Sequence, residues 1–307
     1  MNYKVKSPIL FMIFNRPSQT RMVFEKIKKV KPAKLFIAAD GPRPGYIDDE
    51  KKCLEARKII QSIDWDCDLK TKFSDNNLGC KIAISSSISW FFLQEEEGII
   101  LEDDCLPALS FFQFADEMLS FYRFNNNITH ICGCNFQDKI IRGTSSYYFS
   151  NLTHVWGWAA WRRSWKNYDV EMKLLPAALK DNSFPHISYS RFNHIYLRTM
   201  YDNIKRCKID TWDYQYSFLN LYNRKLSVIP NCNLISNIGF DNQATHTKIK
   251  NKQSNIPVQE MKFPLNHPSV IVANKEADNY TLKKEAPATL IVLLIYFKNL
   301  IKKVMKY

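Results

Sequence analysis

Three consecutive acids, Glu102, Asp103 and Asp104, stand at the end of an apolar run, Gly98-Ile-Ile-Leu101, and Pro107 follows soon after. Adjacent carboxylates repel one another and suit a strand interior poorly. The pattern therefore describes a buried strand delivering acids to the lip of a cleft, where a hard divalent cation holding a diphosphate would compensate them. A solvated acidic turn is the bland alternative, but such a turn seldom needs Gly-Ile-Ile-Leu packed in front of it.

Other apolar runs also end on polar residues. Ser7 to Phe14 closes on Asn15-Arg16-Pro17, Lys34 to Ala39 on Asp40-Gly41-Pro42, and a strand from Asp68 to Phe73 on Ser74 to Gly79. Helical spacing follows each: Ser18 to Val30 with Ser18 or Thr20 as cap, Asp49 to Ile63, and Lys81 to Phe92. This alternation predicts an α/β fold with a mostly parallel central sheet, right-handed crossovers and helices on both faces. Ligands of such sheets bind at the carboxyl ends of the strands. There Asn15, Arg16, Asp40, Asn77 and the acid triplet would converge, with Asp40 against a nucleotide base edge and loop backbone around Phe14 to Arg16. Asp-Gly-Pro is equally an ordinary turn signal. Neither GxGxxG nor GxxxxGK[ST] occurs, which disfavours a dinucleotide domain and a P-loop ATPase.

At 307 residues and 46% hydrophobic, the chain can bury one large core or two modest ones. Lys+Arg exceed Asp+Glu by 43 to 30, a formal +13 that favours an anionic partner: nucleic acid, a lipid surface or phosphorylated substrates. Much of the excess is lysine near the two ends. Eight cysteines include no CxxC pair, only Cys132-Gly-Cys134, so zinc is disfavoured. The opening Met-Asn-Tyr-Lys-Val-Lys has no long apolar region behind it, and reduced thiols in a cytoplasmic protein are expected.

In the second half, Val155 to Trp165 holds four tryptophans, with Gly157 between two indoles permitting close backbone approach. Trp161 and Trp165, four apart, read as core, whereas Trp156-Gly157-Trp158 could present an aromatic platform to a sugar. Asp210-Thr-Trp-Asp213 begins like a capped helix with acids in its first turn. A further strand runs from Val228 to Ile235, followed by a polar stretch bearing Gly239 and His246; a lone histidine is more often structural than ligating.

Taken in order, Pro8-x5-Phe14-Asn15-Arg16-Pro17, Ala39-Asp40-Gly41-Pro42, Asn77-x-Gly79 and the strand into Glu102-Asp103-Asp104 resemble the nucleotide-sugar domain of GT-A glycosyltransferases. The nearest branch is the inverting N-acetylglucosaminyltransferase I type and its bacterial relatives, over roughly residues 7 to 250. The resemblance implies that Asp104 ligates Mn²⁺ or Mg²⁺ bridging the donor diphosphate, with Glu102 and Asp103 around ribose and sugar. It also implies donor contacts from Phe14, Asn15, Arg16, Asp40, Asn77 and Lys81, and a place beneath donor and acceptor for Trp156, Gly157 and Trp158. Asp213 becomes the general base, Asp210 the helix cap and fallback base, and His246 a ligand to metal or diphosphate.

The expected organisation is a transferase domain over 1–250, its donor half about 1–107 and its acceptor side about 108–250, then a lysine-bearing linker over 251–285. Over 286–307, Leu290, Leu293, Leu294, Phe297, Leu300, Ile301 and Val304 share one helical stripe, with Lys298, Lys302, Lys303 and Lys306 on another face. That stripe is too short to span a bilayer and fits an amphipathic helix lying on anionic lipid, the alternative being a core-docking helix. The function expected is transfer of a sugar from a nucleotide-diphospho-sugar, a UDP-sugar in the first instance, to a saccharide or lipid-linked acceptor in bacterial surface-polysaccharide or lipopolysaccharide synthesis, at the inner face of the cell membrane. A metal-dependent sugar nucleotidyltransferase is the alternative. A basic nucleic-acid-binding protein is the third reading, and no recognised motif supports it.

Overall fold

The computed structural model describes residues 3–180, 191–206, 210–239 and 255–285. The expected His246 and the 286–307 helix lie outside these residues. From the N-terminus the chain forms β1 (Ile9–Ile13), α1 (Pro17–Val30), β2 (Lys34–Ala39), α2 (Asp49–Arg57), β3 (Asp68–Phe73), α3 (Gly79–Phe92), β4 (Glu97–Glu102), β5 (Cys105–Pro107) and α4 (Leu109–Phe121). Then come β6 (Ile128–Cys132), β7 (Tyr147–Ser150), β8 (Trp158–Trp161), α5 (Arg162–Trp165), α6 (Leu175–Lys180), α7 (Arg191–Lys205), α8 (Asp213–Tyr222), β9 (Leu226–Pro230), β10 (Ile235–Asn237) and α9 (Lys275–Glu285).

Eight strands make one mixed sheet in the order β3-β2-β1-β4-β8-β6-β9-β7. The β3-β2-β1-β4 half is parallel throughout. Beyond it β8 runs antiparallel to both β4 and β6, β6 and β9 are parallel, and β7 closes the edge antiparallel to β9. Period-two alternation along β1 divides its side chains between two cores: Ile9, Phe11 and Ile13 pack with Val23, Phe24 and Ile27 of α1 and with Phe111 and Phe112 of α4. Leu10 and Met12 pack on the other face with Ile88, Phe91 and Phe92 of α3, Trp165 of α5 and Tyr216 of α8. Helices therefore cover both faces, as an α/β chain of this pattern requires.

Several boundaries differ from the sequence reading. Helix α1 starts at Pro17, and neither Ser18 nor Thr20 caps it; proline at the first helical position carries the start instead, because its missing N–H would have no helical partner anyway. The Asp49 to Ile63 segment is helical only to Arg57 and tightens into a 3-10 turn over Lys58–Ser62. Pro107 does not stop the acid strand. The chain turns after Glu102 and runs on as β5, whose antiparallel partner is β10, so the strand read across Val228 to Ile235 is two strands in different sheets.

The segment expected as a linker is, over 255–285, built onto the domain. Met261, Leu265 and Ala277 enter the main core, and Leu282 joins a second cluster with Tyr201 and Leu221. Buried Asp278 accepts hydrogen bonds from Ser150 Oγ at 2.5 Å and Asn151 Nδ2 at 2.9 Å. Glu260 accepts the backbone N–H groups of Leu109 (3.2 Å) and Ser110 (2.9 Å), capping α4 from a distant part of the chain. The lysine-rich composition of this stretch conceals these anchors, because each is a single residue.

Candidate functional site

Parallel register puts the ends of β1, β2 and β4 level: Ile13 lies beside Ala39, and Met12 beside Glu102. Beyond these ends opens a cleft of about 480 Å³. Its lining includes Phe14, Arg16, Asp40, Asn77, Glu102, Asp103, Asp104, Trp156, Asp210 and Asp213, all expected from the sequence. Asn15, Lys81, Gly157 and Trp158 are not among its lining residues.

The acid turn is tied to the end of β1. Asp103 Oδ2 accepts the Phe14 backbone N–H at 3.0 Å, and Arg16 Nη1 lies 2.6 Å from Asp104 Oδ2 and 3.7 Å from Asp103 Oδ1. Burial pushes the Asp103 carboxyl up to about 7 against the opposing pull of Arg16. Burial also raises Glu102 well above the usual carboxylate range, reinforced by Asp104, Asp103 and Asp213 and opposed by Arg16. Strand β10 covers the turn: Ile238 donates its N–H to the Asp104 carbonyl at 2.8 Å, and a Cβ on Gly239 would fall 2.2 Å from Asp104 Oδ2.

Asp40 organises the neighbouring loops. Its Oδ1 accepts the N–H groups of Gly41 and Leu78, each at 2.9 Å, and its Oδ2 accepts Asn77 Nδ2 at 2.9 Å. Gly41 is needed there because an added Cβ would meet the Asn76 backbone at 2.4 Å. Asn15 donates to Asp49 Oδ1 at 2.8 Å, which takes it out of the cleft. The same carboxylate receives a fork from Arg43, at 2.6 and 2.9 Å, and this pairing holds Asp49 down to about 2. Arg43 lines the cleft with its guanidinium 5.6 Å from the Phe14 ring centroid. Sequence reading missed Arg43 and Asp49; the available signal was their position in the turn and first helical residues immediately after Asp40.

Helix α3 forms another wall through Cys80, Ala83, Ile84 and Ser87, a stripe at helical spacing that leaves Lys81 off the cleft. The facing wall is Asp210 to Asp213. Asp210 is not the helix cap: α8 begins at Asp213 with Trp212 in the cap position and no side-chain cap bond. Asp210 instead lies exposed against the start of α3, where a Cβ on Gly79 would sit 3.4 Å from its Oδ2. Asp213 accepts the Thr211 hydroxyl.

Trp158 serves the site from behind. It is 1% exposed, stacks on Trp212 at 6.0 Å and on His130 at 5.1 Å, and so buttresses the Trp212-Asp213 turn instead of meeting a ligand. Gly157, at φ +58, packs beneath Ile235, whose side chain an added Cβ would meet at 2.5 Å. Trp156 alone of the three reaches the cleft. Trp161 and Trp165 are core residues as expected, although Trp161 belongs to a strand, so their four-residue spacing is not helical.

The donor set suits a hard cation. Carboxylate oxygens dominate it, and Glu102 is destabilised as an anion by burial and its acidic neighbours, a situation that a cation would relieve. Among the described residues, no group of three or more His, Cys, Asp and Glu side chains is arranged to hold a metal ion. The acid turn can thus offer one or two ligands, the usual protein share where substrate phosphate and water complete the shell of Mg²⁺.

No protein-family model matches the chain, and no curated protein matches it in sequence. Among solved structures it is similar to S. aureus TarS 1-349, with 10% identity, a TM-score of 0.38 and coverage of 71% of each chain. It is also similar to an inositol-1-phosphate CTP transferase from T. maritima, with 9% identity, a TM-score of 0.34 and coverage of 53% of this chain and 74% of that one. A third is the 4-diphosphocytidyl-2C-methyl-D-erythritol synthase of Anaerococcus prevotii DSM 20548, with 10% identity, a TM-score of 0.32 and coverage of 53% and 75%.

Proposed function

We propose that this protein is a metal-dependent glycosyltransferase of GT-A type that moves a sugar from a nucleotide-diphospho-sugar to a saccharide or lipid-linked acceptor. One observation carries the reading: a single cleft at the carboxyl ends of parallel strands has an acid turn on one wall and a second carboxylate pair, Asp210 and Asp213, on another. The first set suits a cation and diphosphate, and the second supplies a base on a separate element. Mn²⁺ or Mg²⁺, when bound, would neutralise the charge developing on the diphosphate leaving group, with Asp104 as its protein ligand. His246 remains a proposed further ligand.

In this reading Arg16 receives the diphosphate side of the donor, and Trp156 borders the sugar. Asp213 takes the proton from the acceptor hydroxyl as its oxygen bonds to the anomeric carbon, while the bond from that carbon to the diphosphate breaks and nucleoside diphosphate departs. Attack opposite the leaving group gives inversion. A role in bacterial surface-polysaccharide synthesis, with peripheral attachment to an anionic membrane, completes the proposal; among the described residues no helix is long and apolar enough to cross a membrane.

The test is calorimetric titration with UDP, GDP and CDP, each with and without Mn²⁺, followed by product analysis with the matching donor. Metal-dependent binding of one nucleoside diphosphate and its release during turnover would support sugar transfer. Release of pyrophosphate would instead assign a nucleotidyltransferase, and absence of all binding would remove both.

A further inference from the structure

Among the described residues, the cation nearest the acid turn is one the protein itself supplies. Arg16 precedes Pro17 at the start of α1, so its backbone is fixed by the helix entry, and Thr20 donates its N–H to the Arg16 carbonyl at 2.9 Å. The guanidinium Nη1 then lies 2.6 Å from Asp104 Oδ2. The other oxygen, Oδ1, accepts a hydrogen bond from the Cys105 thiol at 3.6 Å. The pair is largely shielded, with side-chain exposures of 13% for Arg16 and 18% for Asp104, and Gly239 seals it: a Cβ there would lie 2.8 Å from Nη1.

We infer that Arg16 is a built-in counter-ion that holds Asp104 in place of a divalent cation and yields it only when a diphosphate arrives to receive the guanidinium. This rests on the reading of Asp104 as the metal ligand. A metal on Asp104 would have to share with Arg16 a carboxylate whose Oδ2 the guanidinium already holds, and two cations repel one another strongly in so shielded a place. A metal arriving alone would take the 2.6 Å pairing from a shielded guanidinium and set a second positive charge beside it. A metal arriving with a nucleoside diphosphate meets no such obstacle, because a guanidinium pairs with phosphate oxygens through a forked geometry. Metal and nucleotide should therefore bind cooperatively, and Arg16 is the positioning residue that couples them.

Mn²⁺ binding followed by electron paramagnetic resonance tests this without turnover. For the unaltered protein, free Mn²⁺ should bind weakly, and saturating UDP, GDP or CDP, whichever binds, should tighten it by about 10-fold or more, within the usual range of coupling between sites. Arg16→Gln should bind Mn²⁺ alone about 10-fold more tightly than the unaltered protein, lose most of that coupling, and lose the gained affinity again when combined with Asp104→Asn. Arg16→Gln binding Mn²⁺ no better than the unaltered protein would overturn the inference. Should that variant fail to fold by circular dichroism, the unaltered protein still decides it: equal Mn²⁺ affinity with and without the nucleotide overturns the coupling. If no nucleoside diphosphate binds in any condition, the proposed function falls, while Mn²⁺ affinity gained by Arg16→Gln would still uphold the Arg16 pairing with Asp104 as a competitor of metal.

Discussion

The backbone N–H of Phe14 donates to Asp103 Oδ2 at 3.0 Å, so the loop that ends β1 is pinned to the acid turn that ends β4. Asp103 is 6% exposed, which makes it a strut between two strand ends as much as a donor contact. Asp103→Ala should therefore cost about 1–3 kcal/mol by stranding the Phe14 amide, whereas Asp103→Asn keeps an acceptor and should cost less than about 1 kcal/mol. Urea denaturation of both variants checks the difference. Equal losses would mean that the charge beside Arg16, and not the hydrogen bond, holds the loop.

Gly133 and Gly157 cross backbone to backbone under Ile235, with Gly133 N donating to Gly157 O at 2.8 Å. A Cβ on Gly133 would meet Ile235 Cγ1 at 2.4 Å, Gly157 O at 2.6 Å and the Phe111 ring at 2.8 Å. Gly133→Ala should destabilise the protein by about 3 kcal/mol, since a carbonyl cannot swing aside as a side chain can. It should also weaken metal-dependent nucleotide binding, because Ile235 begins the strand that covers Asp104. Thermal denaturation read beside calorimetric titration separates the two effects.

The first four sheet strands were legible because each is a short buried run ending on polar residues, and that placed Arg16, Asp40, Asn77 and the acid triplet at one edge. Strands β6, β7 and β8 were not. Trp158-Ala-Ala-Trp161 looks like aromatic chemistry in a sequence, and only pairing with Glu97 to Ile100 on β4 reveals it as a central strand. Arg43 and Asp49 escaped notice because their function is mutual, and neither type is unusual alone. The 255–285 segment escaped for the same reason. Its attachment depends on single long-range bonds, such as Gln137 Nε2 donating to the Ala277 carbonyl at 3.1 Å, which leave no periodic trace.

His130 provides a pH prediction. Its ring is 0% exposed, Nε2–H donates to the His154 carbonyl at 2.8 Å, and burial lowers its pKa from 6.5 to about 3. The folded protein thus keeps His130 neutral where an unfolded chain protonates it. The resulting stability is fully present above about pH 6.5 and is lost as pH falls toward 3, at about 1.4 kcal/mol per pH unit. Urea midpoints measured from pH 7 to pH 4 should show that His130→Gln is less stable at neutral pH, having lost its stacking on Trp158, and that the gap narrows with acid. A constant gap would place the proton elsewhere.

Asp213 and Asp210 share a wall of the cleft but differ in attachment. Asp213 opens α8, accepts the Thr211 hydroxyl, and stands beside Trp212, which the buried Trp158 and Trp165 hold in place. Asp210 is exposed and lies three residues outside the helix. A general base must be held in one orientation, and the aromatic block gives that to Asp213. Asp213→Asn should lower turnover by about 10²- to 10⁴-fold with nucleotide affinity unchanged, and Asp210→Asn should lower it far less. Single-turnover rates with the donor found by titration, measured beside the dissociation constant of the nucleoside diphosphate, check both. The reverse ranking would move the base to Asp210, whose side chain would then have to reach the acceptor from the α3 side of the cleft.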